Sequence, residues 1–187
     1  MKKNRFILKS DDTALLVIDI QEKLFSAMIP EVQALLVKNA GMLIEISKLL
    51  RIPIIVTEQY RKGLGPTISE LKGKVDGSEA FDKLFFDCTK DPRILNEIEK
   101  CGRKNIILTG IESHICIFQT SVSLCGMGLN VAIASDAVGS RKKHDWKMSL
   151  GAMSQAGALI YPAETISFML LEKSGTEEFR KASHLFR

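Results

Sequence analysis

Apolar residues recur along this chain in two alternating rhythms. Short continuous runs, TALLVIDI at 13–20, IPIIVT at 52–57, NIILTG at 105–110 and VAIASDAV at 131–138, have the length and β-branched content of buried strands. Between them the spacing becomes helical. Val32, Leu35, Leu36, Leu43, Ile46 and Leu50 predict a helix over 31–50. Asp91-Pro92 starts another, closed at Cys101-Gly102 with glycine just past the last turn. Further helices are predicted from near 115 to 125, over 142–156 and over 163–172, with short strands at 81–86 and 158–162. The segment RKGLGPTISELKGKVDGSE at 61–79 is too long for a tight turn and is a candidate functional loop. Strands alternating with helices of this length imply βαβ units, a mostly parallel sheet and right-handed crossovers.

The totals narrow this to one α/β domain. A chain of 187 residues suits a single core, and 45% hydrophobic with 26% charged residues is the balance of an ordinary globular protein. There is no internal repeat, low-complexity tract or linker, so residues 1–187 read as one domain. The net charge of +4 is too mild to argue for nucleic acid, and no run of five like charges forms a tail. Met1-Lys2-Lys3-Asn4-Arg5 is basic, but only Phe6-Ile7-Leu8 follows as an apolar run, so neither a signal peptide nor a membrane span is expected. Cys88, Cys101, Cys116 and Cys125 form no CxxC pair, which leaves a reduced, cytoplasmic protein as the expectation.

Ligands of open parallel sheets gather at the carboxyl ends of the strands. Asp19 lies there, inside the apolar run LLVIDIQ, where an unpaired carboxylate would cost several kcal/mol or shift its pKa. It either bonds loop amides beyond its strand or has a charged partner. Cys116 follows the run ending at Thr109-Gly110, where a helix begins. A packed core cysteine is one reading; a nucleophile whose thiolate is favoured by the helix N-terminus is the other. The remaining inventory is sparse. His114 is two residues from Cys116 and faces another side of its helix, while His144 and His184 sit in polar helical patterns. The chain has no G-x-S-x-G elbow, phosphate-binding glycine loop or H-E-x-x-H pair.

TALLVIDIQEKL, IVTEQYRKGLGPTISEL, KLFF, LTGIESHICIFQT and VAIASDAVGSR together resemble the isochorismatase-like cysteine hydrolases, in particular the isochorismatase-domain-containing proteins with a T-E-Q-Y-x-K-G-L-G stretch. The resemblance runs from about Thr13 to Glu172. It implies a three-layer α/β/α fold around a six-stranded, mostly parallel sheet. It also implies an Asp-Lys-Cys triad of Asp19, Lys83 and Cys116. In relatives the peptide joining the residues numbered here Ile111 and Glu112 is cis, and the amides of Glu112 and Cys116 form an oxyanion hole. Lys83 would otherwise read as a snorkelling surface lysine, although Phe81, Phe85 and Phe86 give it an apolar setting. Asp87 stands where relatives usually carry serine.

That triad implies metal-free hydrolysis of a C–N bond in a small amide through a thioester. Relatives that cleave isochorismate lack the cysteine, and nicotinamidase relatives carry metal-binding histidines where this chain has TEQYRKG. Neither activity is expected, nor is any cofactor or metal. Gln21, Phe25 and Tyr60 are candidate substrate neighbours, and relatives commonly assemble as homo-oligomers. The alternatives are a non-catalytic binding or scaffold protein, in which Cys116 is inert, and a nucleic-acid-processing protein, which needs a basic face. The depressed thiol pKa expected of the hydrolase would make Cys116 ionised near neutral pH.

Overall fold

The computed structural model describes residues 4–75 and 80–187; the end of the long loop, 76–79, and the first three residues lie outside it. Six strands form one sheet: β1 (Thr13–Ile18), β2 (Ile54–Gln59), β3 (Phe81–Lys83), β4 (Asn105–Ile111), β5 (Asn130–Gly139) and β6 (Leu159–Tyr161). Every pairing is parallel, in the order β3-β2-β1-β4-β5-β6. Nine α-helices accompany them among the described residues: α1 (Glu22–Ser26), α2 (Pro30–Leu49), α3 (Arg61–Leu64), α4 (Ser69–Lys72), α5 (Pro92–Lys100), α6 (Phe118–Gly126), α7 (Lys143–Gln155), α8 (Ala163–Leu171) and α9 (Glu177–Ala182).

The unbroken apolar strand runs follow from burial of both faces. Side chains alternate across a strand, so β1 sends Leu15 and Val17 into one core and Ala14, Leu16 and Ile18 into the other. The first core is closed by α2, α8 and α9, the second by α5, α6 and α7. The result is the three-layer α/β/α sheet architecture, with all strands parallel.

Local differences from the sequence reading have physical causes. The third strand stops at Lys83, because Lys83 turns inward while Leu84, Phe85 and Phe86 stand out, 72%, 54% and 53% exposed. The long loop contains two single-turn helices, α3 and α4. The helix expected from residue 115 starts instead as a π-helical turn, Ser113–Ile117, that leads into α6.

Strand order reverses direction between β1 and β4, the crevice where open sheets bind ligands. Gly110 sets the approach of these two strands. Its φ is +131°, and a Cβ there would lie 1.9 Å from the Ile18 carbonyl oxygen. Gly110→Ala is therefore expected to lose about 3 kcal/mol or more in urea denaturation. Gly151→Ala, within α7 and with nothing near its added methyl, should be neutral or gain up to about 1 kcal/mol.

Candidate active site

Asp19, Lys83 and Cys116 come together on the crevice, beyond or at the ends of β1, β3 and β4. Asp19 follows β1 directly, with a left-handed φ of +55° and no solvent exposure. That backbone turn points its carboxylate across to β2 and β3. Oδ1 accepts from the Thr57 hydroxyl at 2.7 Å and Oδ2 from Lys83 Nζ at 2.7 Å. Of the two readings of Asp19, the structure has the charged partner.

Lys83, the last residue of β3, is 1% exposed, so it is no surface lysine. Its ammonium donates to Asp19, to Gln59 Oε1 at 2.7 Å and to the Phe85 carbonyl at 3.2 Å, and lies 3.8 Å from Cys116 Sγ. Three donors are thus matched to three oxygens, with the sulfur as a fourth neighbour. Burial, the largest single influence, works against the charged ammonium, but Asp19 together with Cys88 and Cys116 holds Lys83 above its ordinary pKa.

Cys116 sits in the π-helical turn and is 4% exposed. The serines around that turn brace it. Ser113 and Ser140 hydroxyls are 2.5 Å apart, Ser149 donates to Ser113 at 3.0 Å, and His114 Nδ1 lies 2.9 Å from Ser140 Oγ. The Ile111–Glu112 peptide preceding it is cis. Glu112 is fixed through its side chain, whose Oε1 accepts from the Arg141 amide at 3.1 Å and from Arg141 Nε at 3.0 Å.

One sequence-based expectation is reversed. Burial, then the neighbouring Asp19 carboxylate, push the Cys116 thiol well above its ordinary pKa, and Lys83 only partly opposes them. The thiol is therefore neutral at rest, since Lys83 does not offset burial and Asp19. Cys88 is pushed up to about 12, first by burial. Asp87 is engaged elsewhere: it caps the following turn through Thr89 N at 2.9 Å and accepts from Ser123 Oγ at 2.6 Å. The departure from serine at that position leaves the lysine untouched.

The other predicted residues are placed as follows. Gln21 is buried, and its amide is spent on the chain: Nε2 donates to the Gln59 and Gly65 carbonyls at 3.1 and 2.6 Å, and Oε1 accepts from Gln59 N at 2.7 Å. It braces the end of β2 and does not offer polar groups to a substrate. Phe25 packs half-buried between two apolar clusters. Tyr60 is 50% exposed, at φ +39°, with its ring against Gly63. Phe25 has no hydrogen bond to the three central residues, and Tyr60 meets them only through its backbone N–H, which donates to the Lys83 carbonyl at 2.9 Å. Sequence reasoning missed Thr57 and Gln59, which hold Asp19 and Lys83. The available signal was two polar residues two apart at the end of an apolar run, hence on one face of β2.

Comparison with known proteins shows the family and the fold. A family model described as Isochorismatase domain matches residues 13–165. Isochorismatase family protein 1A of Dictyostelium discoideum is 36% identical over 178 residues, spanning 91% of this chain and 84% of that protein. The structure of the MAR1 ribonuclease from Caenorhabditis elegans superposes with a TM-score of 0.88 at 35% identity, covering 96% of this chain and 91% of that one. The Escherichia coli YcaC structure, an octameric hydrolase of unknown specificity, shares the fold at 22% identity, with a TM-score of 0.85 over 99% of this chain and 89% of that one.

The raised thiol pKa sets a pH dependence. Only the thiolate is alkylated, so below the pKa the rate rises about tenfold per pH unit. Iodoacetamide labelling of Cys116, followed by mass spectrometry, is expected to keep accelerating from pH 6 to 9 without a plateau near neutrality. Gln59→Leu removes one acceptor from Lys83 and is expected to change the rate at each pH, whereas a plateau at pH 7 in the unmodified protein would show an ionised resting thiol.

Proposed function

Because this chain belongs to the isochorismatase family of hydrolases, we propose that it is a cysteine hydrolase that cleaves the C–N bond of a small amide. The observation that carries this reading is the buried Lys83 ammonium, 2.7 Å from Asp19 and 3.8 Å from Cys116. Asp19, Lys83 and Cys116 form the catalytic triad. Lys83 donates to Asp19 Oδ2 and fixes the carboxylate that is to accept a proton. As the substrate carbonyl enters, Cys116 Sγ attacks its carbon while Asp19 takes the thiol proton. The S–C bond forms and the carbonyl π electrons move to oxygen, where the amides of Glu112 and Cys116 hold the oxyanion. The intermediate collapses, the C–N bond breaks, and Asp19 returns the proton to the leaving amine. Water, deprotonated by Asp19, then attacks the thioester carbon. The carboxylic acid leaves and Cys116 regains its proton.

No step passes through a metal or cofactor. The end of β2 presents Thr57, Glu58 and Gln59, and Glu58 is held by Thr67 and Arg61. Among the described residues no three His, Cys, Asp or Glu side chains cluster as a metal site. The partner is a small molecule, entering past Tyr60 and the Leu84–Phe86 rim, and not a nucleic acid or a membrane. No described helix is long and apolar enough to cross a bilayer. Four free cysteines suit a reducing cytoplasm, and the octameric fold relative supports a homo-oligomer.

A ribonuclease reading draws on the Caenorhabditis elegans relative, and a binding-only reading on the neutral resting thiol. One experiment separates all three: a panel of small amides and ureido acids, with a labelled RNA alongside, assayed on the unmodified protein and on Cys116→Ala. Amide hydrolysis is expected, falling about 10³-fold or more in Cys116→Ala, with an acyl adduct on Cys116 trapped by acid quenching. Lys83→Met should lower the rate comparably and also cost about 3–5 kcal/mol of stability, because Asp19 is left buried and unpaired. RNA cleavage that depends on Cys116 would replace the amidase reading, and an inert panel with no adduct would leave the binding protein.

A further inference from the structure

A second cavity lies away from the triad. It occupies about 420 Å³ at the carboxyl end of β5, between the start of α2 and the start of α7. None of Asp19, Lys83 and Cys116 lines it. The volume falls in the range of small-ligand pockets, roughly 300–1,000 Å³. Its wall is apolar, formed chiefly by Val32, Leu35, Leu36 and Trp146, and its rim carries Arg141 and Lys143.

Several polar groups along this wall are already partnered. Trp146 Nε1 donates to the Ser135 carbonyl at 3.1 Å, and Ser140 Oγ is shared by Ser113 and His114. Asp136, the carboxylate of the lining, accepts from the Ala163 amide at 2.7 Å through Oδ1. The lining is therefore mostly hydrocarbon, with Ser135 and Asp136 as its polar members on β5 and the cations Arg141 and Lys143 at one side. Lys143 is exposed and is in none of the ion pairs of the described residues. Arg141 gives its Nε to Glu112, one of the five donors of a guanidinium. Asp145 is the acidic group near Arg141 on α7, set against Arg141, Lys142 and Lys143 in the same stretch.

From an apolar wall with an anion-seeking rim, we propose that this cavity is a second small-molecule site, selective for short aliphatic carboxylates. The hydrocarbon body packs on Trp146 and the α2 side chains, and the carboxylate meets Lys143 and Arg141. The site is separate from the triad and holds whether or not the amidase reading does.

Trp146 is the single tryptophan among the 187 residues, so its emission reports occupancy directly. The probes are hexanoate and its neutral counterpart hexanamide, titrated against the full chain carrying Cys116→Ser so that the amide is not turned over. Hexanoate is expected to give a saturable emission change, with hexanamide binding about tenfold more weakly for want of the charge-assisted contact. Lys143→Gln, a change at an exposed position, should shrink that difference, and Val32→Phe should abolish both responses by filling the cavity. Equal affinity for acid and amide, or emission that only drifts linearly, would overturn the proposal. So would emission that depends on protein concentration and ignores both probes, which would assign the cavity to a subunit interface.

Discussion

The buried ion pair between Lys83 and Asp19 is the constraint on which the rest of the site depends. Neither side chain has any solvent exposure, and their charged atoms are 2.7 Å apart. Removing two such charges from water costs several kcal/mol each, so the pair persists only because every remaining direction is also filled. Thr57 holds the second carboxylate oxygen, while Gln59 and the Phe85 carbonyl take the other ammonium protons. Gln59 is in turn fixed by Gln21 and by the Leu84 carbonyl at 2.9 Å. The ends of β1, β2 and β3 are thereby tied into one polar knot under an apolar rim.

The sheet order explains how a cysteine from a distant part of the chain reaches that knot. Between β1 and β4 the connections diverge to opposite faces, which leaves an open crevice at the carboxyl edge. Asp19 leaves β1 on one side and the turn holding Cys116 leaves β4 on the other. Gly110 lets the two backbones run close, and the serine cluster of Ser113, Ser140 and Ser149 holds the turn from behind. The sulfur then lies within reach of the lysine.

This packing has a chemical consequence. A thiol desolvated beside a carboxylate stays protonated, even with a lysine near it. In the reaction proposed above, Asp19 is the base already beside it, and the proton would move only when a substrate carbonyl accepts the sulfur's electrons. Burial thus protects the thiol at rest and concentrates the electrostatic contrast where the reaction would occur.

The sequence alone determined the layer architecture, because a run such as TALLVI can be buried on both faces only in a sheet with helices on each side. It also singled out Asp19, a charge inside an apolar run, and Cys116, a nucleophile type beyond a strand end. Resemblance of ordered motifs added Lys83, which composition would have left on the surface. Tertiary structure decided the rest. Thr57 and Gln59 hold Asp19 and Lys83 across separations of 38 and 24 residues in sequence. Gln21 braces the end of β2, because its amide meets the Gln59 and Gly65 carbonyls at once. The resting state of Cys116 turned on the balance of desolvation, a carboxylate and an ammonium. That balance depends on distances and burial in three dimensions, which no linear spacing of residues encodes.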